Sequence, residues 1–207
     1  MGSNYLKMKR GAQALFLERD LDGIARRWKL ESDAAYIYAS YFGQKLRVRR
    51  EDAEISLAEP AEGSFLLGDG VNEAMVLFDL MTYAPERPRA SGRWASVSTL
   101  GGIIGAGHDR TLSHEKDAAK FSGRLDALEA ACRRMGGVAL GKADVSYAFT
   151  VFADFAIWFQ FWDGDDEFPA SIKYLFDENA LKYMHYETLW YVMGSVMERL
   201  EYYGKQA

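Results

Sequence analysis

Apolar residues recur every three or four positions in four stretches of the chain, the spacing of one face of an α-helix. Asp20 divides the first stretch at a point where its carboxylate can cap a second helix. Pro85 must end the second stretch, and Gly136 follows the third at the position of a left-handed cap. The pattern therefore predicts helices within residues 5–28, 71–82, 125–135 and 186–203.

Strict alternation of apolar and cationic residues, typical of a strand with one solvated face, is clearest in the segment Lys45–Arg49. Short aromatic and β-branched runs before and after it predict an antiparallel meander. Another strand is predicted where Trp94 precedes a glycine-rich stretch. The strands predicted in the first half of the chain cover residues 36–38, 45–49, 54–57 and 94–99.

The most hydrophobic part of the chain is a pair of aromatic and β-branched segments, 145–151 and 155–162, joined across Ala153-Asp154. Two such runs around a short polar break are typical of the central hairpin of a buried sheet. Alternation puts Trp158, Gln160 and Trp162 on one face and Ile157, Phe159 and Phe161 on the other. With a further strand at 172–176, the pattern predicts an α+β fold with a mostly antiparallel sheet, in which this central aromatic-rich hairpin is flanked by amino- and carboxy-terminal helices. We expect residues 1–207 to form one domain.

The composition favours a folded domain without nucleic-acid or membrane partners. Hydrophobic residues make up 49% of the 207 residues, which is enough for a substantial core. The chain has 25 Lys and Arg against 30 Asp and Glu, so it lacks the net positive field that collects on phosphate backbones. Its longest apolar run contains Asp154 and does not reach the length needed to span a bilayer. With Cys132 as the single cysteine and no secretory-type segment at the start, we expect a cytoplasmic location.

A cluster of glycines follows the predicted strand at residue 94. Glycines let backbone N–H groups approach an anion closely, so Gly102, Gly105 and Gly107 are candidate cofactor-binding positions. The spacing matches neither the dinucleotide-binding fingerprint nor the Walker loop, and a flexible structural loop is the alternative.

Four carboxylates lie within five positions directly after the most apolar strand: Asp163, Asp165, Asp166 and Glu167. Their oxygens could bind a hard cation such as Ca²⁺ or Mg²⁺, or raise one carboxyl pKa by mutual repulsion. His108 or His114 could complete such a site. The alternative is a solvated acidic turn between two strands.

Aromatic side chains are dense around the same strand and could form the wall of a pocket for a flat cofactor. Trp158, Trp162 and Phe168 are the candidate binding residues, and a flavin, a haem or a corrinoid is the kind of ligand that they suit. The alternative is that these side chains belong to the core.

The sequence resembles a known family in two segments, Gly141–Val145 and Trp162–Ala170, and in the tripeptide Leu175-Phe176-Asp177. This is the domain of unknown function 3786 family, found mainly in anaerobic bacteria and archaea. Lys142-Ala143 stands where the family pattern leads us to expect a glycine. The resemblance implies that the motif residues matter for function: Trp162, Asp163, Asp165, Glu167, Phe168 and Asp177.

Some members of that family carry the domain beside an iron–sulfur module of the type found in corrinoid proteins. The resemblance therefore implies a link to anaerobic redox or one-carbon, corrinoid-linked metabolism, with an anaerobic redox or corrinoid/iron–sulfur protein as partner. Our leading hypothesis is a non-catalytic domain that binds a small cofactor or acts as an accessory protein. The alternatives are a metal-assisted enzyme that uses the acidic segment 163–167 and a protein interaction module without a ligand.

Overall fold

The computed structural model describes residues 2–65, 67–100 and 115–206. Within these ranges the chain has an α+β fold with a three-stranded and a five-stranded antiparallel sheet, as the sequence predicts. The helices are α1 (Gly2–Leu17), α2 (Leu21–Trp28), α3 (Val71–Thr82), α4 (Val97–Leu100), α5 (Glu115–Ala118), α6 (Leu125–Arg134), α7 (Ala180–Tyr183) and α8 (Thr188–Gly204). The strands are β1 (Tyr36–Tyr41), β2 (Gln44–Arg49), β3 (Ile55–Leu57), β4 (Trp94–Ser96), β5 (Val138–Ala139), β6 (Val145–Phe152), β7 (Phe155–Trp162) and β8 (Ser171–Asp177).

Two compact units are each built from separate stretches of the chain. The first comprises Met1–Arg89, Val151–Ala153 and Leu181–Ser195, and the second comprises Ala90–Thr150, Asp154–Ala180 and Val196–Ala207. The assignment of residues 1–207 to one domain stays a prediction.

The three-stranded sheet of the first unit is the predicted meander, in the order β1-β2-β3. On its solvated face, the guanidinium of Arg47 lies 4.8 Å from the centre of the Tyr36 ring, and the ammonium of Lys45 lies 5.4 Å from that of Tyr38. Each cation therefore makes a cation–π contact with a tyrosine of the neighbouring strand β1. These contacts agree with the interpretation of this side of β2 as a solvated strand face.

Packing of α1 on α3 provides part of the first unit's core. Phe16 and Phe78 stack with ring centres 4.5 Å apart. Asp20 caps α2 as predicted, because its carboxylate accepts a hydrogen bond from the backbone N–H of Gly23 at 2.9 Å. Lys9 leaves α1 to donate to Glu54 Oε1 at 2.8 Å and to the carbonyl of Asp69 at 2.9 Å, which anchors the helix to two loops.

The five-stranded sheet of the second unit has the order β4-β8-β7-β6-β5. The predicted hairpin forms β6 and β7, and the connecting residue Ala153 has a left-handed φ of 51°. Along β7 the alternate residues Ile157, Phe159 and Phe161 are all 0% exposed, as a strand with one fully buried face requires. The strand predicted at 94–99 is shorter than expected, because α4 begins at Val97.

None of the helices within the described residues is long and apolar enough to cross a membrane.

The apolar face predicted for the last helix is buried along α8. Leu189, Val192, Met193, Val196, Met197 and Leu200 are each at most 7% exposed. Leu200→Asp is therefore expected to unfold the protein or lower its free energy of unfolding by several kcal/mol, since an aspartate would be buried without a partner. Urea denaturation followed by circular dichroism measures this change.

Leu15→Asp is the matched control, because Leu15 also lies on a helix but is 58% exposed. Its free energy of unfolding should stay within about 0.5 kcal/mol of the wild-type value. Equal stability of the two variants would contradict the burial of Leu200.

Candidate functional site

An open groove of about 940 Å³ lies on the face of the five-stranded sheet opposite the aromatic core. We call it the sheet groove. Its floor and walls come from β4, β7, β8, α4 and the turn before β6. The lining residues are Arg93, Trp94, Ala95, Ser96, Thr99, Leu100, Lys142, Trp158, Gln160, Lys173, Leu175 and Glu178.

Strand register brings the groove's side chains together. Leu175 on β8 is paired with Trp158 on β7 and with Ser96 on β4, so these three side chains form one row across the sheet. Lys173 and Gln160 form the adjacent pair on the same face. Because side chains alternate between the two faces of a strand, every second residue of each strand faces the groove.

Trp158 is held rigidly in the floor of the groove. Its indole N–H donates a 2.9 Å hydrogen bond to Ser146 Oγ, and that hydroxyl donates in turn to the carbonyl of Gly141. The ring of Trp94 meets it edge to face with centres 5.6 Å apart. Trp158 is only 6% exposed, whereas Trp94 is half-buried and presents more of its indole to the groove.

Among the residues that the structure describes, three cations and one carboxylate lie on the rim of the groove. Arg93 Nε donates to Glu178 at 2.6 Å, and this ion pair raises the pKa of the guanidinium above its usual value. The ammonium of Lys142 lies 5.6 Å from the centre of the Trp158 ring, and Lys173 is exposed on β8. The groove can therefore offer both aromatic surface and positive charge to a ligand.

Asp177 positions the segment that carries Arg93 and Trp94. Its buried carboxylate accepts hydrogen bonds from the backbone N–H groups of Ser91, Gly92 and Asn179, at 2.8–2.9 Å, and from the Ser91 hydroxyl at 3.0 Å. Burial by itself would raise the pKa of Asp177, but these hydrogen bonds to the ionised form hold it below the usual value. Asp177 is thus a positioning residue for one wall of the groove.

The sequence-predicted cofactor residues are divided between several places. Trp158 lines the groove. Trp162 is half-buried on the same strand face but beyond the lining, and Phe168, directly after the acidic segment, is 67% exposed. Gly102, Gly105 and Gly107 lie outside the described residues, as do His108 and His114.

The acidic segment forms a turn in which two carboxylates accept hydrogen bonds from the chain itself. Asp163 accepts from the Ser122 hydroxyl at 2.7 Å and from the N–H groups of Gly123 and Gly164, and these contacts lower its pKa. Asp165 accepts from the N–H groups of Phe168 and Glu167, which lowers its pKa as well. Asp166 and Glu167 are exposed.

In the part of the chain that the structure describes, no group of three or more His, Cys, Asp and Glu side chains is arranged to hold a metal ion. The contacts of Asp163 and Asp165 favour the alternative of a structural turn. The metal site at Asp163, Asp165, Asp166 and Glu167 stays a prediction.

The surroundings of His185 and Cys132 indicate that both residues have structural roles. His185 Nδ1 lies 2.6 Å from Asp79, whose second oxygen accepts from the hydroxyl of Thr188 at the start of α8. Cys132 is buried in α6, and burial raises the pKa of its thiol well above the usual range, so it is not a reactive thiolate.

Comparison with known proteins identifies the family. A family model described as Domain of unknown function (DUF3786) matches residues 20–199, which is most of the chain. The protein belongs to this family. No curated protein and no solved structure matches the chain.

The motif by which the DUF3786 resemblance is apparent in the sequence contributes to the groove in two ways. Leu175 lines the groove directly, and Asp177 positions its wall. Asp163 and Asp165 instead shape the acidic turn. Gly164 fits this turn because an added Cβ would lie 2.9 Å from the backbone nitrogen of Ala170.

Sequence reasoning missed the cations of the groove. Lys173 and Leu175 alternate with buried residues on β8, so the period of two could have placed them on the Trp158 face. Arg93 and Trp94 carry no local signal for the site, because they reach it only through the pairing of β4 with β8.

Replacing Asp177 by alanine would leave three backbone N–H groups without their carboxylate acceptor. We expect Asp177→Ala to lower the free energy of unfolding by about 3 kcal/mol, because each of these three partly buried donors loses a hydrogen bond worth about 1 kcal/mol. Urea denaturation measures the loss. Asp166→Ala, at an exposed carboxylate of the acidic turn, is the control and should leave the urea midpoint unchanged.

The same contacts define an acid dependence for Asp177. Because its folded-state pKa lies below the usual value of about 3.9, its contribution to stability is complete above that pH and is lost as pH falls through the folded-state pKa. Asp177→Asn removes the titrating group, so its destabilisation relative to wild type should shrink between about pH 5 and pH 2. A difference that is constant over this range would contradict the assignment.

Proposed function

We propose that this protein is a non-catalytic domain that binds a planar small cofactor in the sheet groove, within anaerobic redox or one-carbon, corrinoid-linked metabolism. A flavin, a haem or a corrinoid is the class of ligand. The observation that carries the proposal is the groove itself, with two indoles from sequence-distant strands in one concave surface.

The size and lining of the groove support a ligand of cofactor size. Ligand sites in proteins generally occupy about 300–1,000 Å³ and combine apolar walls with a few polar groups. The groove's 940 Å³ lies within this range, and the half-buried side chains of Trp94 and Leu175 provide most of the apolar surface beside the nearly buried indole of Trp158. Gln160 and Ser96 add neutral polar groups that could orient a heterocycle.

The rigidity of the groove's aromatic side chains also supports ligand binding. Trp158 is fixed by its hydrogen bond to Ser146, and the Trp94 segment is fixed by Asp177. A preorganised aromatic wall loses little conformational entropy when a ligand binds, which favours affinity.

Titration with FMN, haem and a cobalamin under anaerobic conditions tests the proposal. A planar chromophore bound beside Trp94 and Trp158 should quench tryptophan emission saturably, at micromolar ligand for at least one of the three. Trp94→Ala should weaken that binding about tenfold or more, because it removes one wall of the groove.

Trp190→Ala is the matched control, since Trp190 is also half-buried but does not line the groove. It should lower the total emission without changing the dissociation constant. Strictly linear quenching by all three compounds, equal to that of free tryptophan, would reject a planar-cofactor site in this groove.

A second candidate function is docking on an anaerobic redox or corrinoid/iron–sulfur protein, and the exposure of Phe168 favours it. Phe168 is 67% exposed although Asp165 fixes its backbone with a 2.7 Å hydrogen bond. Rigidly held, exposed aromatic side chains are typical anchors of protein interfaces.

Phe168→Ala tests this second function. The unfolding temperature should change little, because the side chain contacts solvent, whereas affinity for a purified corrinoid/iron–sulfur protein should fall at least tenfold in a surface plasmon resonance assay. Leu140→Ala, at another exposed apolar residue, is the control. Equal affinity of wild type and Phe168→Ala would reject Phe168 as an anchor.

A further inference from the structure

The sheet groove concentrates positive charge on a chain whose net charge is −5. Of its three cations, Arg93 is neutralised by Glu178. Lys142 and Lys173 have no carboxylate partner at ion-pair distance among the residues that the structure describes. Within the described ranges, these two ammonium groups are therefore the unpaired charges that a ligand in the groove would meet.

The backbone places Lys142 in a conformation that is unfavourable for its residue type. Its φ is 76°, in the left-handed region where glycine has no steric cost and a residue with a Cβ does. The turn is fixed by two hydrogen bonds, from Ser146 Oγ to the carbonyl of Gly141 and from the N–H of Leu140 to the carbonyl of Ser146. These surrounding hydrogen bonds hold the strained backbone in place.

The side chain that this turn presents lies over the groove floor. The ammonium of Lys142 is 5.6 Å from the centre of the Trp158 ring. Lys173 is paired with Gln160, and it lies two residues before Leu175 on β8. Its side chain is therefore on the same face of the sheet as that of Leu175, with the two Cα atoms about 7 Å apart. The aromatic surface of Trp94 and Trp158 is thus flanked by the ammonium groups of Lys173 on β8 and of Lys142 in the turn before β6.

We propose that the ligand of the sheet groove carries a phosphate monoester, which Lys142 and Lys173 bind beside the aromatic surface of Trp94 and Trp158. Two lysine ammonium groups match the charge of a phosphate dianion, and lysine binds phosphate as a compact point charge. Glu178 restricts the site to these two lysines by holding Arg93. This inference rests on the proposed function for the planar part of the ligand, but the anion site can be tested without it.

The first experiment measures the anion site alone. Lysines of the folded protein are acetylated with a water-soluble reagent, with and without millimolar inorganic phosphate at constant ionic strength, and quantified by mass spectrometry. Phosphate should protect Lys142 and Lys173 at least threefold and leave the exposed Lys205 unprotected. Equal acetylation of all three lysines with and without phosphate would overturn the proposal.

The second experiment compares FMN with riboflavin, which share the ring system and differ by one phosphate. FMN should bind at least tenfold more tightly, and Lys142→Gln or Lys173→Gln should remove most of that preference. Lys205→Gln is the control and should change neither affinity.

The variant Glu178→Gln gives a test in the opposite direction. It should strengthen FMN binding severalfold, because it releases Arg93 toward the ligand. A misfolded variant could not produce such a gain.

The outcomes separate the two proposals. Protection by phosphate without binding of either flavin supports the anion site and counts against a flavin in the groove. Equal binding of FMN and riboflavin, with no effect of the lysine variants, supports a planar ligand and overturns the phosphate site. Failure of both experiments overturns the phosphate site and excludes a flavin from the groove, whereas a haem or corrinoid site is rejected only by the quenching titration.

Discussion

The alternation of side chains along β7 is the constraint on which the second unit's structure and its groove depend. Phe159 and Phe161 are completely buried on one face of the strand, and this packing fixes the strand's register because a shift of one residue would move both rings from the core to the groove face. Trp158 and Gln160 must then face the opposite side of the sheet. The groove is the remaining open surface of a sheet whose other face is core.

Carboxylates of the DUF3786 motif act largely as acceptors for the chain's own N–H groups. Asp177 joins β8 to the segment before β4 through Ser91 and Gly92, which are 86 and 85 residues away in the sequence. Asp163 joins the end of β7 to Ser122 and Gly123. A carboxylate can accept several hydrogen bonds at once, so one residue can fix a loop that has no regular secondary structure. Asp177 therefore supports one wall of the groove without lining it, and Asp163 supports the acidic turn.

Ligand-binding potential and backbone strain occur together at Lys142. A glycine would adopt its φ of 76° at no steric cost, but it would place no charge above Trp158. The hydrogen bonds of Ser146 link this turn to the indole N–H of Trp158, so the strained backbone and the groove floor belong to one network. That connection gives the turn a role in the groove in addition to its role in joining β5 to β6.

Local patterns were sufficient to predict most helices and strands of this protein, whereas tertiary structure decided which of their side chains meet. The helix α6, the Asp20 cap of α2 and the β6–β7 hairpin are specified by spacing or by a residue adjacent in sequence, and such signals can be read directly. Trp158, Trp162 and Phe168 are similar in sequence terms, yet only Trp158 lines the groove. The pairing of β4 with β8 brings Trp94 and Arg93 to it from a distant part of the chain. Which strands pair, and in which register, depends on the burial and hydrogen bonding of whole strands that are distant in sequence. A short stretch of sequence therefore does not determine this pairing.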